Sequence, residues 1–203
     1  MEFNYIFDFD GTIFNPYEGI RNALKRSISD LNLEVDDKSL SIILDRIGPP
    51  MRIMIEGIIP EKYSDKFISL FRKHYDDFYC LEGYVYPFAL KFIKKLRINK
   101  STLSMTILSN KPLKPLIKIC SKYKIESYFD NIIGIDHKEF TGSSKKEKLK
   151  NYINKLKLDS RNCIFFGDRK DDFDSANLNN CIFCGNIGKN LSLDQFNFLS
   201  KII

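Results

Sequence analysis

A regular alternation of short apolar runs and amphipathic helical patterns over residues 83–203 is the feature that most constrains the fold. Runs typical of strands occur near residues 103–109, 131–135, 162–167 and 181–184. Helical patterns occur near residues 88–98, 112–124 and 145–156, from 171, and finally from about 192. Because parallel strands need a crossover connection, usually a helix, this order predicts a parallel sheet with helices on both faces. With a further strand near residues 4–8, we expect an α/β fold with a doubly wound parallel sheet of Rossmann type.

The part of the chain between the first strand and this alternating region has a different pattern. Four helical patterns follow one another between residues 15 and 80, without a clear strand. Asn15 and Glu18 predict the start of the first helix, with Asn15 as its cap. Since amphipathic helices bury their apolar stripes against each other, we expect a small four-helix domain inserted into the core. The predicted domains are residues 1–14 with 83–203 for the core and residues 15–82 for the insertion, joined by linkers near 14–16 and 81–87.

The composition is that of a globular protein, with 43% hydrophobic and 29% charged residues among 203. No apolar run approaches the roughly 20 residues of a membrane span, and the N-terminus lacks the pattern of a secretory signal. We therefore expect a cytoplasmic protein without a membrane partner. The net charge of +6 comes from lysines spread over polar helix faces, so we expect no nucleic-acid partner.

The five cysteines are an odd number and give no disulfide framework. Cys181 and Cys184 have the spacing of a metal or redox pair. However, residues three apart in a strand face opposite sides, and no second pair completes a zinc site. We therefore interpret them as structural cysteines.

Polar side chains follow three of the predicted strands at the points where the strands end. In chain order these are Asp8 and Asp10, then Ser109, Asn110 and Lys111, then Asp168, Asp171 and Asp172, with Lys145 and Lys146 opening the helix before the last of these strands. Ligands of open parallel sheets bind beyond the carboxyl ends of the strands. Two nearby carboxylates repel each other unless a cation or a shared proton compensates them. The alternative is that Asp10-Gly11 forms only a turn, for which Asp-Gly is a common dipeptide.

In these motifs the chain resembles the haloacid dehalogenase superfamily, and in particular its phosphatases with a helical cap, of the phosphoglycolate phosphatase type. The resemblance rests on DxDGT at residues 8–12, Ser-Asn at 109–110, a lysine near 145 and GDxxxD at 167–172. It extends to IGPP at 47–50 and YVYPF at 84–88. Four motifs in this order cover nearly the whole chain.

The resemblance implies that the Asp8 carboxylate attacks phosphorus to form an aspartyl-phosphate, and that Asp10 protonates the leaving oxygen and later activates water. The implied catalytic residues are Asp8, Asp10, Ser109 and Lys145, with Lys146 as an alternative to Lys145. The implied substrate-binding residues are Gly11, Thr12, Asn110 and Arg52, with backbone amides near Gly11 and Asn110 binding phosphoryl oxygens. The implied ligands of a Mg²⁺ cofactor are Asp8, Asp10 through its carbonyl, Asp168 and Asp172. Thr12 is also expected to support Asp10 by hydrogen bonding.

The implied function is Mg²⁺-dependent hydrolysis of a small phosphorylated metabolite such as phosphoglycolate, a sugar phosphate or a nucleoside monophosphate. A phosphomutase is one alternative, and a non-catalytic basic binding module is another. The insertion is expected to close over the site and to bind the leaving group; its candidates are Arg46, Gly48, Pro49, Arg52, Arg72 and His74. We expect a monomer or a homodimer. The roles of Asp171 and His137 stay open.

Overall fold

The structure is a computed structural model that describes residues 2–47, 49–140, 142 and 144–185, and the chain divides into two compact units. Residues 1–15 and 84–203 form the core unit, and residues 16–83 form the helical unit. The strands are β1 (Phe3–Phe7), β2 (Phe14–Asn15), β3 (Tyr84–Val85), β4 (Thr102–Leu108), β5 (Asn131–Ile133), β6 (Cys163–Gly167) and β7 (Ile182–Gly185). The helices are α1 (Tyr17–Asp30), α2 (Asp37–Asp45), α3 (Met51–Ile55), α4 (Glu61–Asp77), α5 (Pro87–Arg97), α6 (Leu113–Lys122), α7 (Lys145–Leu156) and α8 (Lys170–Leu178). The helix expected from about residue 192 lies outside the described residues.

The sheet of the core unit has the strand order β5-β4-β1-β6-β7, and all neighbouring strands are parallel. Ile6 of the central strand β1 lies opposite Thr106 of β4 on one side and Phe165 of β6 on the other. The central strand β1 therefore has β4 and β5 on one side and the later strands β6 and β7 on the other. Such a switch point opens a crevice beyond the carboxyl ends of the strands. The expected α/β fold with a parallel sheet and a helical insertion is confirmed.

Successive residues of the central strands face opposite sides of the sheet, and helices cover both sides. Ile6 and Phe165 belong to a buried cluster that includes the apolar residues of α7. Phe7 and Phe166, the next residue in each strand, stack on the other side with ring centroids 4.6 Å apart, and Phe92 of α5 contacts Phe166 edge-on. Because both faces are buried, β6 is apolar throughout and β1 is apolar except at Asn4, as expected for central parallel strands.

Within the helical unit, the two longest helices, α1 and α4, pack against each other. Ile20 and Leu24 of α1 and Phe67 and Phe71 of α4 are buried. In each helix these residues are four positions apart, which puts them on one face of the helix. Across the described part of the chain, no helix has both the length and the apolar character that crossing a membrane requires.

The segments expected to be linkers are hydrogen-bonded strands. β2 and β3 pair antiparallel within the core unit, with Phe14 opposite Val85. Asn15 is part of this pairing, and its side-chain amide donates to the Tyr84 hydroxyl at 3.2 Å. The prediction that Asn15 caps α1 is therefore wrong, because the cap position is Pro16 and no side chain caps the helix there.

Candidate active site

Three buried carboxylates meet at the carboxyl edge of the sheet. Asp8 follows β1, Asp168 follows β6, and Asp172 lies in the first turn of α8. One carboxylate oxygen from each residue lies within 4.8 Å of the other two. The sheet brings them together, because β1 and β6 are hydrogen-bonded neighbours and the Asp8 amide donates to the Phe166 carbonyl at 2.8 Å.

Two glycines make room for these acids. A Cβ at Gly11 would lie 2.4 Å from Asp168 Oδ2, and the Gly11 backbone has a φ of +87°. A Cβ at Gly167 would lie 2.4 Å from the Cβ of Asp172. Each glycine therefore permits an approach that a side chain would prevent, and at Gly11 the left-handed backbone also favours glycine. The DG and GD pairs of the sequence are thus structural requirements for bringing the carboxylates together.

Lys145 supplies a buried cation to this group. Its Nζ donates to Asp8 Oδ1 at 2.9 Å and to Asp172 Oδ1 at 2.5 Å. Although desolvation lowers the pKa of Lys145, the carboxylates of Asp8 and Asp172 hold the pKa above its ordinary value. Ser144 caps α7 by accepting from the Glu147 amide, and this fixes the start of the helix that carries Lys145. Lys146, the alternative from the sequence, is exposed.

The carboxylates outnumber this ammonium group, and burial and mutual repulsion together raise the pKa values of two of them. Desolvation, followed by the charge of Asp8, raises the pKa of Asp168 to about 6 and that of Asp172 to about 7. Three clustered carboxylates are hard oxygen donors of the kind that small divalent cations prefer. A bound cation would compensate the repulsion that raises these pKa values. The arrangement therefore fits a metal site formed by Asp8, Asp168 and Asp172.

Asp10 lies apart from the three carboxylates and pairs with a different lysine. Lys111 Nζ donates to Asp10 Oδ1 at 2.9 Å and to Oδ2 at 3.0 Å. The Lys111 side chain is 3% exposed, and its ammonium group lies over the rings of Phe9 and Phe14. Desolvation raises the pKa of Asp10, while Lys111 opposes the rise. Asp8 and Asp10 thus each have their own lysine.

No role for Lys111 was predicted from the sequence. The feature that could have indicated one is its position directly after Ser109-Asn110, at the end of a strand that neighbours β1. A lysine is common at a solvated strand end, so the sequence does not distinguish a buried partner of Asp10 from a surface residue. The distinction depends on tertiary contacts with the Asp10 carboxylate and the ring of Phe14.

The remaining core residues named from the sequence lie at the same edge with different partners. Ser109 is buried, and its Oγ accepts from the Lys111 amide at 3.3 Å. The Asn110 side chain donates to exposed Asp171 at 3.2 Å. The Thr12 hydroxyl donates to Asp168 Oδ1 at 3.2 Å, so the expected hydrogen bond to Asp10 is corrected to one with Asp168. The cause is the turn after Asp10, in which Thr12 is fully buried.

The Gly11 amide is used within the turn. Its N–H donates to the Phe14 carbonyl at 2.8 Å. Binding of a phosphoryl oxygen by backbone amides near Gly11 stays a prediction from the family resemblance. The structural requirement for Gly11 is thus the close approach of Asp168 described above. His137, the loop histidine named from the sequence, accepts from the Glu139 amide through Nδ1 at 3.2 Å.

The polar candidates of the helical unit have partners within that unit. The Arg52 guanidinium pairs with Glu61 at 3.0 Å and also with Asp65. Arg46 donates to the carbonyls of Met54 and Glu56, at the end of α3. Two carboxylates therefore already compensate the charge of Arg52.

Comparisons with known proteins agree with this geometry. The family model described as haloacid dehalogenase-like hydrolase matches residues 5–185. A phosphoglycolate phosphatase of Aquifex aeolicus is 27% identical over 131 residues, which cover 64% of this chain and 60% of that protein, less than two thirds of its length. A 5'-nucleotidase of Pseudomonas aeruginosa is 24% identical over 187 residues, covering 91% of this chain and 82% of that protein.

The fold is also found in solved structures. A haloacid dehalogenase-like family hydrolase of Streptococcus pneumoniae superposes with a TM-score of 0.82 at 18% identity, covering 100% of this chain and 99% of that chain. At this identity the likeness concerns the fold. The family match spans most of the chain and includes all four motifs of the site. The chain belongs to the haloacid dehalogenase-like hydrolase family.

Proposed function

We propose that the chain is a Mg²⁺-dependent phosphomonoesterase that acts through an aspartyl-phosphate on Asp8. The observation that carries the proposal is the group of Asp8, Asp168 and Asp172 around the ammonium of Lys145. Covalent catalysis by a carboxylate needs an ionised oxygen that is held in position and a cationic environment for the phosphoryl group. Lys145 satisfies the first need directly, through its hydrogen bond to Asp8 Oδ1.

In the first step, an oxygen of Asp8 bonds to phosphorus while the bond from phosphorus to the leaving oxygen breaks. Asp10 gives its proton to that leaving oxygen. In the second step, Asp10 takes a proton from water, whose oxygen attacks phosphorus and releases inorganic phosphate and the Asp8 carboxylate. The two acids need different protonation states at the start, and burial, which raises the pKa of Asp10, favours the protonated form of that acid.

Asp8, Asp168 and Asp172 would hold the magnesium ion, together with the Asp10 carbonyl as the family resemblance implies. When bound, the ion neutralises charge on the phosphoryl oxygens and orients them for in-line attack. Lys145 holds the Asp8 carboxylate, and Ser109 and Asn110 contribute polar groups from the end of β4. Lys111 fixes the carboxylate of Asp10 through both of its oxygens.

The proposed substrate class is a small phosphorylated metabolite: phosphoglycolate, a sugar phosphate or a nucleoside monophosphate. The names of the two relatives, a phosphoglycolate phosphatase and a 5'-nucleotidase, support the class without selecting a member. Recognition of the leaving group by Arg52 stays a prediction of the sequence. Substituting Arg52 by Ala and measuring KM across such esters tests it.

The decisive experiment measures phosphate release from an aryl phosphate with and without Mg²⁺. Asp8→Asn should reduce the rate at least about a thousandfold, as expected for loss of a nucleophile. Asp174→Asn is the matched control, because Asp174 lies on α8 but pairs with Lys170 and belongs to neither the acid group nor its lysines. No release from the aryl phosphate or from a broad panel of phosphorylated metabolites would refute the proposal. Isomerised sugar phosphate without free phosphate would indicate a mutase instead.

A further inference from the structure

Two thiols outside the proposed site are neighbours on adjacent parallel strands. Phe165 of β6 lies opposite Phe183 of β7, and Ile164 lies opposite Ile182. Cys163 and Cys181 directly precede the second of these pairs, so they continue the same register. Both contribute to the buried cluster that also contains Phe165 and Phe183. Residues two apart in a strand share a face, so the two thiols point to the same side of the sheet.

The spacing of the strands suits a covalent bond between these cysteines. Neighbouring strands lie about 4.8 Å apart, within the roughly 4.4–6.8 Å that separates the Cα atoms of disulfide-bonded cysteines. By contrast, Cys184 follows Phe183 directly and therefore faces the other side of the sheet. Cys184 lies on β7 opposite Phe166, which has no thiol. It therefore serves as a matched control.

The surroundings of the two thiols differ in a way that favours reaction. The Cys163 thiol lies 3.4 Å from the Asp159 carbonyl and is buried, whereas Cys181 is partly exposed. The Cys181 thiol donates to the Asn179 carbonyl at 3.8 Å, and the contact between the two thiols lowers the pKa of Cys163 and raises that of Cys181. The thiolate is the nucleophilic form of cysteine. Cys163 is therefore the more acidic of the two thiols, and Cys181 is the partly exposed one.

We propose that Cys163 and Cys181 form a disulfide when the protein meets a peroxide. The Cys163 sulfur attacks one oxygen of hydrogen peroxide, the O–O bond breaks, and a sulfenic acid and one water result. The Cys181 sulfur then attacks the sulfenic sulfur, the S–O bond breaks, and the hydroxyl leaves with the Cys181 proton as a second water. Two thiols are oxidised to one disulfide, and one peroxide is reduced to two waters.

The cross-link would enclose the segment that carries two acids of the proposed site. Residues 163–181 include Asp168 and Asp172, together with all of α8. The cysteines themselves lie at the start of β6 and β7, whereas the acids lie at the opposite end of these strands. The disulfide would therefore stabilise this segment without touching the carboxylates. This chemistry is independent of phosphatase activity.

The test uses the full-length reduced protein, treated with hydrogen peroxide after the reductant is removed. We expect an intact mass lower by two hydrogen atoms, recovery of the original mass with dithiothreitol, and a peptide in which Cys163 is linked to Cys181. Oxidation should raise the Tm by about 5 to 10 °C, because a cross-link of this loop length restricts the unfolded chain.

Variants separate this pair from the other cysteines. Cys184→Ser should form the same disulfide, whereas Cys181→Ser should not. Cys181 is partly exposed, so this variant does not empty the core. The proposal is overturned if the peroxide-treated protein keeps all of its thiols, if the cross-link maps to Cys184, or if Cys181→Ser still loses two hydrogens.

Discussion

Replacing Lys145 by Met removes the cation that pairs with Asp8 and Asp172 while keeping most of the side-chain volume. Lys145 is 4% exposed, and its two carboxylate partners are equally buried. Removing one partner of a buried ion pair costs about 3–5 kcal/mol, because the remaining charge is left uncompensated. Here two carboxylates lose their partner, so we expect the free energy of unfolding at pH 8 to fall by an amount at the upper end of this range.

A loss of this size should lower the Tm by roughly 6 to 20 °C for a chain of this length. Urea unfolding followed by circular dichroism, without metal, measures the loss directly. Lys146→Met is the matched control: the same substitution one residue along α7, at an exposed position, should change stability by less than about 0.5 kcal/mol. Saturating Mg²⁺ should restore part of the stability of Lys145→Met, since a ligand that binds only the folded state stabilises it.

Three results would refute the reasoning for Lys145. The first is an unchanged unfolding midpoint in Lys145→Met. The second is an equal effect of the Lys146 substitution, which would place the relevant cation elsewhere. The third is a destabilisation that is as large at pH 5 as at pH 8, because the raised pKa of Asp172, about 7, predicts that this carboxyl takes up a proton at the lower pH and no longer needs a cation.

Three further predictions concern the same edge of the sheet. Gly11→Ala should abolish Mg²⁺-dependent stabilisation in a thermal shift assay. Gly57→Ala is the control: Gly57 has a φ of +75° but open space around it, so this substitution should lower the free energy of unfolding by only about 1–2 kcal/mol. Similar effects of the two substitutions would contradict the close approach of Asp168 to Gly11. Mg²⁺ should raise the Tm more at pH 8 than at pH 5, because the pKa values of Asp168, about 6, and Asp172, about 7, leave both carboxyls mostly protonated at pH 5. For the same reason, the metal-free protein should lose stability as the pH rises from about 4 through 7, and a metal effect independent of pH would count against the site. Lys111→Met should lower kcat more for alkyl than for aryl phosphates, since alkyl leaving groups depend more on protonation by the acid Asp10. Lys111→Arg should restore part of the loss. Equal losses for both classes of substrate would refute the role of Lys111 in holding Asp10.

Much of the site could be predicted from the sequence because its chemistry is concentrated at strand ends. Asp8 and Asp168 each follow an apolar run, and the alternation of helices and strands predicts that such ends share one edge of a parallel sheet. The order of strands and helices does not determine which side chains meet, since residues at one edge can still be several ångströms apart.

Contacts that depend on turns were predicted less well. Thr12 contacts Asp168 instead of Asp10, and Asn15 pairs with Tyr84 instead of capping α1. In both cases the partner lies more than 60 residues away in the chain, and local sequence patterns carry no information about such partners. The same limit explains why the contact of Lys111 with Asp10, 101 residues away in the chain, was not predicted.

The order of apolar and polar residues alone determined the parallel sheet, the helical insertion and the edge at which the acids lie, because side-chain periodicity and strand ends are local properties of the chain. Only the tertiary structure decided that Lys145 and not Lys146 is buried among the acids, that Lys111 holds Asp10, and that Gly11 makes room for Asp168. These outcomes depend on which face of a helix or turn meets another segment, and that is fixed by packing between residues far apart in sequence.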